Sequence, residues 1–147
     1  MRRFSFRLDR ILNYRRYLEK KAQRDLFDAR NAYRARGREV KRIVRKRIEI
    51  ARICSDKGFK GMGVPQYLIY KSFLQGLNHD LEEAHTNLKK GEEEVKAQQV
   101  ALKKESIKKK SLETLKDLQV DKYRKRSERE EQKVMDELVI TRKRGKS

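Results

Sequence analysis

The sequence predicts an all-α protein, two long helices folded as an antiparallel coiled-coil hairpin, and three observations predict it. Of its 147 residues only 36% are hydrophobic and 43% are charged, with no tryptophan. That is too little apolar surface for an ordinary globular core but enough for a narrow helical seam. The apolar residues recur at three- and four-residue steps over two long segments, a periodicity that a disordered chain has no reason to keep. Between the segments lies a stretch holding three of the seven glycines and the only proline.

The first helix is expected over about residues 5–55. Starting from Phe4, the stripe runs Leu8, Ile11, Arg15, Leu18, Ala22, Leu26, Ala29, Tyr33, Arg36, Val40, Ile43, Arg47, Ile50 and Cys54, and twelve of these fifteen positions are apolar. The successive steps of four from Leu18 through Ala22 to Leu26 act as a stutter that locally unwinds a left-handed supercoil. At the helix entrance, RFSFRLDRILNYRRY, Ser5 is placed to cap the first turn and Asp9 to favour the positive end of the dipole. Leu8 and Ile11 fall in the intramolecular seam, whereas Phe4, Phe6 and Tyr14 are read as facing a partner.

The turn is expected over about residues 56–64, where glycines relax the backbone and Pro65 fixes φ for the first turn of a new helix. The second helix follows over about residues 65–142. Its stripe is strict from Tyr67 through Tyr70, Leu74, Leu77, Leu81, Ala84, Leu88, Gly91, Val95 and Gln98 to Leu102. Beyond Leu102 it loosens, with Ile107 and Leu112 arriving in steps of five before Leu115 and Leu118. At 1.5 Å per residue the helices span roughly 75 and 115 Å, so the last ~25 residues overhang. A turn centred near Lys60 sets Arg47 near Phe73, Arg36 near Ala84 and Arg15 near Glu105. The whole chain, 1–147, reads as one coiled-coil domain and as a monomer.

Charge is unevenly placed. Net charge is +19, and residues 1–60 carry 21 Lys+Arg against 7 Asp+Glu, mostly arginine, whereas residues 61–147 carry 20 against 15. Arginine makes bidentate, shape-specific contacts, which favours a docking role for the first segment. A nucleic-acid-binding basic coiled coil is the alternative that charge alone allows, although the arginines are spread around the first helix and no nucleic-acid module accompanies them.

Chemistry is sparse. The single cysteine, Cys54, fits a reducing compartment and reads as a small seam residue. His79 and His85, six apart, fall on different helix faces without a third ligand, so no metal is expected. GFKGMG matches neither phosphate-binding glycine pattern. A two-helix structure encloses no interior in which to shift a pKa, so neither catalysis nor a cofactor is expected. No run approaches the roughly 18 apolar residues of a membrane span, and no signal peptide is apparent, so a cytosolic location without membrane insertion is expected. Aromatics cluster at both ends, Tyr67, Tyr70 and Phe73 at one and Phe6, Tyr14 and Tyr17 at the other, in excess of what a two-stranded seam buries.

Three separated stretches, FSFRLDRILNYR at 4–15, YKSFLQGL at 70–77 and EREEQKVMDELVITR at 128–142, together resemble the FliJ family, coiled-coil components of the flagellar type III export apparatus. The injectisome counterpart is a close relative. The resemblance implies a fold like the two-helix stalk of the F-type ATPase γ subunit, and a non-enzymatic adaptor that sits at or within the ring of the export ATPase FliI and promotes its assembly. It also implies contacts with the export gate protein FlhA and with flagellar substrate chaperones, at the cytoplasmic face of the inner membrane at the flagellar basal body. Carried over by position, the candidate ring contacts are Phe4, Phe6, Leu8, Arg10, Ile11 and Tyr14 on the first helix and Met135, Asp136, Glu137 and Arg142 on the second. The candidate gate contacts are Tyr70, Phe73, Leu77 and Asp80. On the facing side of the first helix, where family members carry tyrosines, this chain has Ile43, Arg47 and Ile50.

Overall fold

A computed structural model describes residues 3–61 and 63–145, the side chains of 57–60 excepted. Arg2 and Met62 lie outside the described residues. The predicted fold class is the observed one: two long helices, α1 (Asp9–Gly61) and α2 (Val64–Gly145), and no strand among the described residues. The chain divides into two compact units, one of residues 21–102 and one of residues 1–20 with 103–147. Within each unit α1 and α2 pack antiparallel, as the cross-helix contacts below establish.

The helix limits differ from those the sequence predicts. α1 starts at Asp9, not near residue 5, because the chain first makes a turn in which the Asp9 amide donates to the Phe6 carbonyl at 3.1 Å. The Leu8 carbonyl accepts the first helical bond, from Leu12 at 2.9 Å, so Ser5 lies too far upstream to cap the helix. Asp9 does sit in the first turn, where the helix dipole favours a carboxylate. At its other end α1 runs through Gly58 to Gly61, since glycine in a helix costs only about 1 kcal/mol and does not break it. Of the expected turn over 56–64, residues 56–61 thus belong to α1 and Val64 to α2. The Gly63 carbonyl joins the α2 ladder by accepting from the Tyr67 amide at 3.1 Å, and Pro65 falls within the first turn, where no amide hydrogen is needed.

The unit of residues 21–102 is closed by apolar packing. Val40 and Ile43 on α1 meet Leu77 and Ala84 on α2, with Val44, Ile50, Leu81 and Leu88 half-buried around them. Fully burying a side chain of this size contributes about 1.5–3 kcal/mol. Two stripe positions that look out of place on hydrophobic grounds explain each other. Arg36 lies across Gly91, where an added Cβ would come within 3.2 Å of the Arg36 Cδ and 3.4 Å of the Tyr33 ring. From there the Arg36 guanidinium donates to the Asn87 carbonyl at 2.8 Å. The missing side chain at 91 leaves a channel for the arginine stem, whose methylenes cover the seam while its head finds a backbone acceptor.

The terminal unit is closed differently. Leu12 is fully enclosed and Phe6 is 5% exposed, but the facing side of α2 is largely charged. Glu105, Lys109, Leu112, Lys116, Val120 and Tyr123 are half-buried, so the three- and four-residue rhythm persists past Leu102 where hydrophobicity alone shows it loosening. The apolar residues that suggested otherwise, Ile107 and Leu118, face away and are 55% and 57% exposed. Among the described residues, four ion pairs link the helices here. Lys109 donates to Glu19 at 2.9 Å and Lys116 to Asp9 at 3.0 Å, and Arg15 stands 3.7 Å from Glu105 and Arg16 3.6 Å from Glu113. The pairing of Arg15 with Glu105 is the register that a turn near Lys60 predicts.

Candidate docking surfaces

The first-helix candidates for ring contact occupy the start of the terminal unit, and the structure sorts them into two groups. Phe6 is buried, with the Lys116 ammonium 6.0 Å from its ring centre, and Phe4 is half-buried, its ring 5.5 Å from that of Tyr123 at 52°. Leu8 is also partly covered. These three build the unit. Arg10, Ile11 and Tyr14 are exposed. Three sequence-based placements are thus reversed: Ile11 belongs outside the seam, and Phe4 and Phe6 pack within the unit, because the helix begins late and its buried face passes through Leu12.

The second-helix candidates do not lie beside those of the first. Met135 begins twelve residues beyond Tyr123, about 18 Å further along α2 at 1.5 Å per residue. Residues 128–145 are exposed throughout. Asp136 accepts from the Gln132 amide at 3.1 Å, and the Thr141 hydroxyl donates to the Glu137 backbone carbonyl at 2.8 Å. Arg142 lies in the last turn with Lys143 and Arg144, where cations complement the dipole. Glu130, Glu131, Val134 and Met135 line a shallow groove on this segment.

The gate candidates lie in the other unit. Leu77 is buried in its core, Tyr70 is half-buried, Phe73 is 45% exposed and Asp80 is exposed. Phe73 and Leu77 floor a groove of about 530 Å³ whose remaining walls include Ile69, Gly76, Asp80 and Lys46. Lys46, which the hydrophobic stripe passes over, stands 5.5 Å above the Phe73 ring, a cation-π distance. Of the facing residues, Ile43 is buried in the core, Ile50 is half-buried and Arg47 is exposed. Asp80 also borders a second groove, of about 230 Å³, with Arg36, Glu39, Arg42 and Glu83. There Arg42 donates to both carboxylate oxygens of Glu39, at 2.7 and 3.0 Å. That bidentate contact holds the Glu39 carboxyl below its usual range and raises the Arg42 guanidinium.

In the terminal unit the Lys109 ammonium, bonded to Glu19, lowers the Glu19 carboxyl against a desolvation that would raise it, and the Ser106 hydroxyl and Lys110 act in the same direction. Lys109 is raised in turn by Glu19. Among the described residues no group of three or more His, Cys, Asp or Glu side chains is arranged to hold a metal ion. His79 is committed to a same-helix pairing with Glu83 at 3.4 Å, and Cys54 is half-buried. Neither helix contains, among those residues, a stretch long and apolar enough to cross a membrane. Among the described residues these surfaces are open grooves and exposed helix faces.

No curated protein and no solved structure matches the chain significantly. The sequence model of a family described as the flagellar FliJ protein matches residues 4–146, nearly the whole length. Matched over nearly its whole length, the chain belongs to the flagellar FliJ family and has a role related to flagellar export.

Proposed function

We propose that the protein is the stalk and adaptor of the flagellar type III export apparatus, docking its terminal unit on the ring of the export ATPase FliI and promoting ring assembly. One observation carries the reading. Residues 128–145 form a helix exposed around its whole circumference, yet Val134, Met135, Leu138, Val139 and Ile140 on it are 52–62% exposed. Apolar side chains in that number on an uncovered helix are supported by an enclosing partner, and a ring lumen contacts a helix on every side. The other unit, with its groove at Phe73, Lys46 and Asp80, serves the export gate protein FlhA, and substrate chaperones take further exposed faces. The working place is the cytoplasmic face of the inner membrane at the basal body.

The test adds purified protein to the export ATPase and measures turnover and ring formation. Stimulation of both is expected. Unchanged turnover and assembly would overturn the stalk reading, and duplex binding that persists at physiological salt would support the nucleic-acid alternative instead. The contribution of electrostatic docking is tested by neutralising Arg2, Arg3, Arg7 and Arg10 together, which should weaken assembly and flatten its salt dependence.

A further inference from the structure

The fold sorts the cations of α1 between Arg24 and Arg52, where the sequence carries eleven Lys+Arg against four Asp+Glu. Arg36 turns across Gly91 to the Asn87 carbonyl, Arg42 is held by Glu39, and Lys46 stands over Phe73. Six others, Arg24, Arg34, Arg38, Lys41, Arg45 and Arg52, are exposed and recur in three- and four-residue steps with Phe27, Asn31 and Ile48. At 3.6 residues per turn that row lies opposite the buried Leu26, Ala29, Val40 and Ile43.

The row itself contains no acid. Asp28 and Glu49 stand beside it, partly offset by Arg30. Among the described residues no carboxylate pairs with any of the six cations, and Arg45 donates only to the Lys41 carbonyl at 3.4 Å. An unpaired row of one sign calls for an anionic partner, and its layout selects which. A protein interface gathers apolar anchors at its centre and charge at its rim. Here Arg34, Arg38, Lys41 and Arg45 hold the middle, while Phe27 and Ile48, 60% and 55% exposed, lie near the ends, about 32 Å apart. A partner helix would therefore find no continuous apolar seam. A nucleic-acid duplex winds its backbones round its axis, so a row about 42 Å long on one helix meets phosphates only where they cross it, and the two apolar side chains gain little there. A lipid surface presents anionic headgroups over a whole plane, with an apolar layer beneath that such side chains can reach.

We propose that this row lays the unit of residues 21–102 on a bilayer containing anionic lipid, with the basic side chains on the lipid phosphates and Phe27 and Ile48 dipping below the headgroups. This goes beyond the ring and gate readings, which bring the protein to the membrane through other proteins, and it depends on neither.

The probe is vesicles of phosphatidylglycerol and phosphatidylcholine in equal parts, with phosphatidylcholine vesicles as the control, mixed with the full-length protein and read by flotation. Binding to the mixed vesicles alone is expected, falling as salt is raised. Each basic residue brought to such a surface strengthens binding about fivefold, so Arg34→Gln/Arg38→Gln/Lys41→Gln/Arg45→Gln should weaken it about a hundredfold or more. Lys103→Gln/Lys104→Gln/Lys122→Gln/Arg124→Gln removes as much charge from exposed positions of α2 in the other unit and should weaken it less than about tenfold. Phe27→Ser/Ile48→Ser should weaken it severalfold with every charge intact. Equal loss in the two charge variants, or no binding to the mixed vesicles, would overturn the proposal. So would duplex DNA or polyglutamate binding more tightly than the vesicles at physiological salt through the same four residues.

Discussion

Replacing Leu12 by alanine should loosen the terminal unit far more than replacing its neighbour Ile11. Leu12 is 0% exposed and Ile11 is 48% exposed, although the two differ by one position and a hydrophobic stripe read from Phe4 selects Ile11. A buried leucine-to-alanine change costs about 2–5 kcal/mol, least where the surroundings can close on the gap. A seam between two helices closes more readily than a deep core, so about 2–3 kcal/mol is expected for Leu12→Ala. About half of the Ile11 side chain is already in water, and alanine is the better helix former, so Ile11→Ala should cost less than about 1 kcal/mol. Because the chain has two compact units, a single global midpoint blends their responses. The assay is therefore hydrogen exchange read separately over residues 9–20 and 105–123 and over 30–50 and 74–95. Leu12→Ala should accelerate exchange in the first pair of segments and leave the second nearly unchanged. An equal or larger effect from Ile11→Ala would refute the placement of the buried face, and with it the late helix start.

Raising salt to 1 M shortens the screening length to about 3 Å, so exchange should quicken in the ion-paired terminal unit and change little around Val40, Ile43, Leu77 and Ala84. Acid should act in the same place: because Lys109 and Ser106 depress the Glu19 carboxyl, its contribution is complete above the ordinary value of 4.5 and lost as pH falls through the lower folded value. Glu19→Gln should remove that part of the acid sensitivity, measured as the shift in the pH dependence of unfolding. Gly76→Ala should stabilise by about 0.5–1 kcal/mol, since an added Cβ there meets nothing within 4 Å and the backbone of a helical glycine is costly to order. Gly91→Ala should gain less or nothing in the same thermal melts, because its Cβ would press on Arg36 and disturb the bond to Asn87.

What the sequence made legible was the spacing, and what it obscured was the chemistry carried on that spacing. Between Ala22 and Leu102 the buried positions are apolar often enough that Leu26, Val40, Ile43, Leu77 and Ala84 could be picked out by periodicity. Beyond Leu102 the same rhythm is carried by Glu105, Lys109 and Lys116, which a hydrophobic reading skips in favour of Ile107 and Leu118. A long charged side chain can occupy a seam because its stem packs while its head reaches an opposite charge on the other helix. That opposite charge is remote in sequence, so no local pattern announces it. The docking residues were obscured for a related reason: Phe6 and Leu77 have the aromatic and aliphatic character of contact residues, but the fold uses both to close itself. Lys46 and Gly76 shape the groove beside Phe73 without matching any motif.

The two ways of closing the seam bear on how the units can work. Apolar packing in the unit of residues 21–102 is insensitive to salt and tolerates few alternatives, which suits a surface that must keep the Phe73 groove in one shape. In the terminal unit, partly exposed ion pairs fix which residues face one another more than they add stability. Such pairs can exchange partners when another charged helix arrives.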